Sequence, residues 1–222
     1  MAQPDFPRTG PASGKTARQL VVLCHGLGAD GFDLIDIAAA WASAVPDAAF
    51  VAPHAPFPCD IAPHGRQWFS IGDRSPAAIA PQARLAAQHL DGFIDAELAR
   101  LALPADAYAL MGFSQGAMMA LYAGLRRPTP PCAILAYSGA LLAPETLEAE
   151  CVHRPPVLLV HGVDDDVVPA LRTREAEAAL RQVGIPVETL FCPKLGHGID
   201  EAGLSLGALF LQRHLGSVAA GA

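Results

Sequence analysis

The sequence predicts a single α/β domain with a mostly parallel sheet covered by helices on both faces. Short apolar runs alternate along the chain with longer amphipathic ones, as strand–helix–strand units require. The chain has 222 residues, of which 52% are hydrophobic and 17% charged, so one domain can bury a large core whereas two would be crowded. We expect this domain to span residues 18–216, between a loosely ordered N-terminal segment, 1–17, and a C-terminal tail, 217–222.

The first half of the chain predicts two strands and two helices around one long connection. Helical spacing places Leu34, Ala38 and Trp41 on one apolar face. The proline-rich stretch 54–81 is expected to be a connection, and one of this length inside a compact domain is more often functional than accidental. The predicted elements are, in order, strand 19–24, helix 32–45, strand 48–52 and helix 82–101.

The second half predicts four strands and three helices. Gly184 follows one of the helical runs and is a plausible C-terminal cap for it. The predicted elements are, in order, strand 107–112, helix 115–125, strands 132–137 and 157–160, helix 170–182, strand 187–191 and helix 199–214.

Composition excludes several classes of partner. The net charge is −7 and Lys and Arg do not cluster, which argues against nucleic acid and anionic membranes. No apolar run reaches the ~20 residues of a membrane span, so we expect no stable membrane insertion. The N-terminus lacks a secretory apolar core and the five cysteines form neither C-x-x-C nor a metal spacing. We therefore expect a cytoplasmic protein without a bound metal.

Residues 112–116 read Gly-Phe-Ser-Gln-Gly, a G-x-S-x-G pattern between a predicted strand and a predicted helix. Glycines on both sides allow a serine to occupy a sharp strand-to-helix turn that bulkier neighbours would block. Such a turn lies at the carboxyl edge of the sheet and at the amino end of a helix, whose dipole and free N–H groups favour negative charge. Ser114 is therefore a candidate nucleophile.

A serine hydroxyl needs a base within hydrogen-bond reach and an acid that fixes the tautomer of that base. In α/β-hydrolases these residues follow the serine in the order acid, then histidine, each on a loop after a strand. Three consecutive aspartates, 164–166, follow strand 157–160, and His197 follows the last strand. The order and placement predict a Ser-His-Asp triad that uses one of the three aspartates.

A second motif allows an alternative. Gly26, Gly28 and Gly31 form a literal G-x-G-x-x-G after a strand and before a helix, as a dinucleotide site requires. The next strand, however, ends without the acidic residue that holds a ribose. In hydrolases the same loop supplies an oxyanion-hole N–H, often in an H-G-x-G setting that His25 completes here. An NAD-dependent oxidoreductase is the weaker interpretation, and a P-loop-like run at 10–16 is one residue too short.

These motifs together resemble the phospholipase/carboxylesterase family, which includes bacterial carboxylesterases and acyl-protein thioesterases. The resemblance extends from about Gln19 to Leu215. The matching segments are LCHGLGADG (23–31), VAPHAP (51–56), RQWF (66–69), GFSQGAMMAL (112–121), YSG (137–139), VHGxxDxVVP (160–169) and GHGI (196–199).

The resemblance implies a single-domain α/β-hydrolase and assigns the residues of its site. The family's catalytic aspartate lies four residues before the proline of the VHGxxDxVVP segment, which makes the triad Ser114, Asp165 and His197. The main-chain N–H groups of Leu27 and Gln115 would form the oxyanion hole. Neither a metal nor an organic cofactor is implied.

The resemblance also implies a small-molecule acyl ester as substrate, cleaved through an acyl-enzyme intermediate. We expect short to medium acyl chains, because the candidate pocket residues are apolar: Phe57, Trp68, Phe113, Val167 and Leu195. Ser70 stands where many members carry an aspartate after W-F or W-Y, and a branch of bacterial esterases shares the run GRQWFS.

Several alternatives stay open from the sequence. An acyl thioesterase or a lysophospholipase would use the same triad, since specificity lies in the 54–81 connection. A non-catalytic binding protein on a hydrolase scaffold is a further alternative. An apolar-edged loop beside the site would be able to support a homodimer, which nothing in the sequence requires.

Overall fold

The computed structural model describes residues 6–215, so the expectations for residues 1–5 and for the tail 217–222 lie outside the described residues. Within the described range, the strands are β1 (Arg8–Thr9), β2 (Gln19–Cys24), β3 (Ala48–Val51), β4 (Phe57–Pro58), β5 (Arg66–Gln67), β6 (Tyr108–Phe113), β7 (Ala133–Tyr137), β8 (Val157–Gly162) and β9 (Val187–Cys192). The α-helices are α1 (Ile37–Trp41), α2 (Pro76–Arg100), α3 (Gln115–Gly124), α4 (Leu147–Glu150), α5 (Leu171–Gln182) and α6 (Glu201–Leu215).

Seven strands form one sheet in the order β1-β3-β2-β6-β7-β8-β9. Only β1 runs antiparallel to its neighbour; the other five pairings are parallel. The chain moves outward from β2 to β3 and then returns to place β6 on the other side of β2. The order therefore reverses between β2 and β6, and in open α/β sheets the crevice at such a point is where ligands bind. The predicted fold class is confirmed.

The central strands are buried on both faces, which explains their continuous apolar runs. Alternate residues of each strand enter two separate hydrophobic clusters. One cluster joins the sheet to α2, α3 and α5, and contains Val22, Leu110 and Leu121. The other joins it to α1 and α6, and contains Leu23, Met111 and Phe210. Helices thus cover both faces of one sheet.

The N-terminal segment needs a correction where it is described. Residues 1–17 were expected to be loosely ordered, but Arg8 and Thr9 pair with Val51 and Phe50 at the edge of the sheet. The guanidinium of Arg8 also forms an ion pair of 2.6 Å with Glu97, a nearly buried carboxylate of α2. The segment is too polar and too short for the sequence alone to predict a strand there. It is ordered because these tertiary partners bind it.

The predicted 54–81 connection contains more structure than expected. β4 and β5 form a small antiparallel hairpin, and α2 begins at Pro76 rather than at residue 82. The hydroxyl of Ser75 accepts a hydrogen bond from the N–H of Ala78, and Pro76 follows at the first helical position, where a missing N–H costs nothing. Pro81, the predicted end of the connection, lies within the second turn of the helix.

The predicted helix 32–45 is also corrected. The chain there forms a 3₁₀ turn at Gly31–Asp33 and then the short α1. The expected apolar face is nevertheless buried at Leu34, Ala38 and Trp41, and the indole N–H of Trp41 donates to the carbonyl of Leu204 in α6. The apolar periodicity identified the buried face, but tertiary contacts set the length of the helix.

Helix α3 packs unusually close to the end of β2. A Cβ placed on Gly116 would lie 1.9 Å from the carbonyl oxygen of Cys24, which no side chain tolerates. A Cβ on Gly112, at the end of β6, would lie 2.2 Å from the carbonyl oxygen of Gly116. The two glycines of the G-x-S-x-G pattern are therefore required for β2, β6 and α3 to meet at this corner.

The substitution Gly116→Ala is expected to lower the free energy of unfolding by about 2–3 kcal/mol, because β2 and α3 must separate to admit the methyl group. The matched control is Gly92→Ala in the middle of α2, where an added Cβ meets nothing within 4 Å. That change is expected to raise the free energy of unfolding by about 0.5–1 kcal/mol, since alanine is the better helix former. Urea denaturation of both variants tests the packing, and an equal response at the two sites would contradict it.

Candidate active site

Ser114 lies between β6 and α3 in a conformation that few non-glycine residues adopt. Its φ is 54° and its ψ is −118°, and the strain is held by hydrogen bonds on both sides. Its N–H donates to the carbonyl of Tyr137 at 2.9 Å, and its carbonyl accepts from the N–H of Met118 at 3.1 Å. The turn keeps the side chain out of the helix and directs it to the carboxyl edge of the sheet.

Three predicted side chains form one chain of hydrogen bonds. The Oγ atom of Ser114 lies 3.0 Å from Nε2 of His197, and Nδ1 of the same ring lies 2.7 Å from Oδ2 of Asp165. A carboxylate only accepts, so His197 carries its proton on Nδ1, and Nε2 is left to accept the serine proton. The structure thus brings together residues from the ends of β6, β8 and β9.

The structure separates Asp165 from the aspartates on either side. The side chain of Asp165 is fully buried, whereas Asp164 and Asp166 are exposed. Its second oxygen, Oδ1, accepts from the N–H groups of Val167 at 3.0 Å and Val168 at 2.8 Å. Burial raises the pKa of this carboxyl, but the hydrogen bonds from His197, Val168 and Val167 outweigh it and leave the pKa below its ordinary range. Asp165 is therefore held as an anion.

His161 is a buried neighbour of this carboxylate that the sequence did not mark as part of the site. Its Nε2 lies 2.7 Å from the carbonyl oxygen of Val168 and 3.2 Å from Oδ2 of Asp165. The carbonyl requires a proton on Nε2, so Nδ1 accepts from the hydroxyl of Thr173 at 2.7 Å. The ring fixes both the loop and the carboxylate. The HG pair at the end of β8 is the available sequence signal for this residue.

The loops that carry Asp165 and His197 touch along their main chains. The N–H groups of Val163 and Asp164 donate to the carbonyls of Cys192 and Leu195, each at 2.9 Å. A Cβ on Gly162 would lie 2.3 Å from the carbonyl oxygens of Leu195 and Gly196. Glycine at this position therefore lets the two loops approach closely enough for the aspartate to reach the histidine.

The predicted oxyanion donors lie on two segments that meet at the reversal of strand order. Gln115 N–H opens α3, and Leu27 lies in the loop after β2, which we call the 25–31 loop. Neither N–H has an acceptor among residues 6–215. A Cβ on Gly26 would lie 3.4 Å from Cβ of Ser114, so the 25–31 loop runs directly beside the serine. Two free main-chain donors thus lie on segments next to Ser114.

Each glycine of the G-x-G-x-x-G pattern has a packing reason. Gly26 passes beside Ser114, and Gly28 has a φ of +81°, which side chains rarely adopt. A Cβ on Gly31 would lie 2.1 Å from the carbonyl oxygen of Ala52. The pattern is explained by the path of the 25–31 loop over the end of β3 and past the serine.

His25 fixes the start of this loop. Its Nε2 accepts from the N–H of Ala55 at 2.9 Å, so the proton is on Nδ1, which donates to the carbonyl of Gly26 at 2.7 Å. Complete burial of the ring lowers its pKa, although the bond to Gly26 opposes the shift. A neutral ring is the form that can accept from Ala55 and donate to Gly26 together.

The side chain of Gln115 has a second role that sequence reasoning missed. Its Oε1 accepts from the N–H of Trp68 at 2.8 Å, and its Nε2 donates to the carbonyl of Phe69 at 2.7 Å. Trp68 in turn donates its indole N–H to the carbonyl of His25 at 2.9 Å. The amide of Gln115 therefore joins the serine turn to the connection after β5, and the indole of Trp68 joins that connection to the 25–31 loop. No spacing rule predicts this contact, because it joins residues 47 positions apart.

The predicted pocket residues occupy different environments. Phe113 is half-buried with its ring 4.9 Å from that of His197, and Leu195 is half-buried two residues before the histidine. Val167 lies on the Asp165 loop and is 63% exposed. Phe57 packs its ring against His89 of α2 at 6.1 Å, and Trp68 is only 1% exposed beneath the 25–31 loop.

Within residues 6–215, no group of three or more His, Cys, Asp or Glu side chains is placed to hold a metal ion. No described helix is both long and apolar enough to span a bilayer.

A parallel sheet with helices on both faces, and a serine on a strained turn at the reversal of strand order, define the class of enzyme: an α/β-hydrolase. The sequence model of the family described as Phospholipase/Carboxylesterase matches residues 11–215. The chain belongs to this family, and the resemblance found in its motifs is confirmed. The family is one of hydrolases, so the dinucleotide interpretation of the glycine pattern is not supported.

Individual relatives agree with this assignment. Esterase YpfH of Escherichia coli K12 is 33% identical over 191 residues, covering 84% of this chain and 78% of that protein. Acyl-protein thioesterase 1 of Gibberella zeae is 28% identical over 219 residues, covering 88% and 90%. The crystal structure of esterase PE8 superposes with a TM-score of 0.89 at 43% identity, covering 95% of this chain and 98% of the other. The protein is a hydrolase of the esterase and acyl-protein thioesterase type.

The three adjacent aspartates provide an internal comparison. Asp165→Asn is expected to lower kcat/KM by about 10³- to 10⁴-fold, because the amide keeps the bonds to Val167 and Val168 but turns an NH₂ towards His197 and selects the wrong tautomer. Asp164→Asn and Asp166→Asn remove the same charge from exposed positions, and kcat/KM is expected to change by less than about threefold. The rates at which the three variants hydrolyse p-nitrophenyl acetate rank the aspartates by their effect. A larger loss at Asp164 or Asp166 than at Asp165 would show that another aspartate is the partner of His197.

Proposed function

We propose that this protein is a carboxylesterase that cleaves esters of short to medium acyl chains through an acyl-enzyme intermediate, with Ser114, His197 and Asp165 as its triad. The observation that supports this most directly is the unbroken set of hydrogen bonds from Ser114 Oγ through His197 to Asp165. A buried anion behind a histidine, with a serine in front of it, is the arrangement that activates a hydroxyl at neutral pH.

In the acylation step, Ser114 Oγ attacks the acyl carbonyl while its proton passes to Nε2 of His197. The imidazolium that forms is stabilised by Asp165 at Nδ1. The proton then goes from Nε2 to the leaving alkoxide, which departs as an alcohol and leaves the acyl group on the serine. Water enters with His197 as the base again and releases the carboxylic acid.

The oxyanion hole of this proposal is the pair of free N–H groups of Leu27 and Gln115. Both belong to the main chain, so side-chain substitution does not delete them. One such donor typically contributes about 3–4 kcal/mol to the transition state. His25 is bonded to Gly26, next to Leu27, and the side chain of Gln115 anchors the residue that carries the second donor to Trp68.

The substrate class in this proposal follows from the surroundings of the serine. Phe113, Leu195 and Val167 present apolar side chains near His197 or on the adjacent loop, which suits an acyl chain better than a charged group. A thioester is the second candidate, because a relative spanning 88% of this chain is named an acyl-protein thioesterase. A lysophospholipid would use the same chemistry.

The remaining expectations are part of the same proposal. The partner is a small acyl ester rather than a nucleic acid, consistent with the net charge of −7. One catalytic domain spans residues 18–216, and the protein acts in the cytoplasm. A homodimer is compatible with the exposed apolar side chains at Val163 and Val167, beside the triad.

The nucleophile is tested by Ser114→Ala. Hydrolysis of p-nitrophenyl acetate is expected to fall by about 10⁵-fold or more, since no other group replaces the hydroxyl. A fluorophosphonate probe should label the wild-type protein at Ser114 and leave the variant unlabelled. Retained hydrolysis, or labelling elsewhere, would overturn the mechanism, and an unlabelled wild type would indicate a binding protein on the hydrolase scaffold.

The base is tested by the pH profile. On acidification kcat/KM is expected to fall, because an imidazolium cannot accept the serine proton. Asp165 stays ionised through this fall, since its pKa lies below the ordinary aspartate range. Its contribution to folding is complete above that ordinary range and is lost only as pH falls through the lowered pKa. A profile flat down to pH 4 would require another base.

The acyl and leaving groups are tested by one series. Oxygen esters and thioesters of matched chains from two to sixteen carbons are compared by kcat/KM. We expect a maximum at short to medium oxygen esters. A maximum at long thioesters would favour the thioesterase alternative without affecting the triad.

A further inference from the structure

A cavity of about 440 Å³ lies between the connection after β3 and α2, and none of the triad residues lines it. Its volume is in the range of small-molecule sites. Its walls come from the connection after β3, from β5 and the residue after it, from α2, and from the N-terminal Phe6. Ser114, Asp165, His197 and Leu27 are not among the residues that line it. The cavity is therefore set apart from the triad and from Leu27, and of the predicted pocket residues it shares only Trp68.

The apolar part of the lining is largely aromatic. Phe6 and Phe93 meet edge to face with ring centroids 4.9 Å apart, and Phe6 also lies 5.4 Å from the ring of His54. Trp68 and Leu90, both nearly inaccessible to solvent, add further apolar surface. Such walls accommodate a flat or branched apolar body.

The polar part of the lining is cationic. Arg66 is half-buried and forms no ion pair with any residue in the range 6–215. Its Nε and Nη2 donate to the carbonyls of Ala55 and Pro56, at 2.9 and 2.7 Å, which leaves Nη1 without an acceptor in the described part of the chain. No aspartate or glutamate is among the described residues that line the cavity, although the chain as a whole carries a net charge of −7.

Two histidines complete this polar lining. Nδ1 of His54 accepts from the N–H of Gly31 at 3.0 Å, so the neutral ring carries its proton on Nε2 as a further donor. His89 lies on the exposed face of α2, at the rim. A guanidinium with free N–H groups and an imidazole donor, with no acid nearby in the wall, is the environment a carboxylate requires.

We propose that this cavity is a second ligand site, which binds a carboxylate carried on an aromatic or branched apolar body. The inference goes beyond the proposed esterase function and does not depend on the chemistry of Ser114. It explains why an arginine without an ion-pair partner lines an aromatic cavity in an otherwise acidic protein.

The site is connected to the 25–31 loop by several hydrogen bonds. The main chain of Arg66 bonds to Gly28 and Ala29 of that loop, each at 2.9 Å. Ala55, Trp68 and His54, which also line the cavity, bond to His25 or Gly31. A ligand on Arg66 therefore contacts the residues that hold the loop bearing Leu27, without reaching the serine.

The test measures binding of 4-phenylbutyrate by isothermal titration calorimetry to protein whose serine is blocked by a long-chain alkyl fluorophosphonate, which fills the acyl site. If the proposed nucleophile fails to label, Ser114→Ala protein is used, so failure of the esterase proposal does not prevent the measurement. We expect binding to blocked and unblocked protein with equal affinity. Binding abolished by the block, or no binding to either form, would overturn the second site.

Two matched comparisons test its chemistry. The uncharged amide, 4-phenylbutyramide, is expected to bind at least about tenfold more weakly, because it cannot form a charged pair with Arg66. On α2, His89→Glu places a negative charge at the rim and is also expected to weaken binding about tenfold. Gln88→Glu makes the same charge change one residue away, outside the lining, and should weaken binding by less than about twofold. Equal binding of acid and amide, or equal effects of the two substitutions, would overturn the assignment.

Discussion

The close approach of α3 to the end of β2 is the constraint on which the rest of the site depends. Gly116 lies so near the carbonyl of Cys24 that no Cβ fits between them. This contact fixes the corner where β6 turns into α3, and it holds Ser114 at a φ of 54°. It also places the loop after β2 beside the serine, so Ser114 lies close to free main-chain N–H groups on two segments. A strained turn of this kind persists only because the surrounding packing over-determines it.

On the other side of the site, the pairing of Asp165 with His197 also depends on a close main-chain contact. Gly162 lets the loops after β8 and β9 touch, and that contact puts Asp165 beneath His197. The carboxylate is stabilised in its buried position by two N–H groups, and His161 lies against the same oxygen that faces His197. A buried anion without these donors would be costly, so the loop geometry and the charge support each other.

Most of the fold was predictable because its signals are local. Continuous apolar runs marked the buried strands, and β2 was predicted at its observed bounds, Gln19–Cys24. The errors lie where distant partners decide. Arg8–Thr9 became a strand because β3 and Glu97 receive it. Helix α2 begins six residues before its predicted start, because Ser75 and Pro76 form a helix start signal. Pro81, inside the helix, made the predicted start later than the observed one. The residues of the candidate site could be named from motifs, but Gln115's amide and His161 could not, since their partners are distant or ambiguous in sequence.

The sequence by itself determined the class of fold, the family and the set of residues that the triad requires, because glycine spacing and strand order are local and recur in the chain as patterns. Only the tertiary structure showed how Asp165 is buried against His197, how Gln115 joins the connection to the serine turn, and where a cationic cavity forms beside α2. These features arise from contacts between segments far apart in the chain, and a local pattern does not record such contacts.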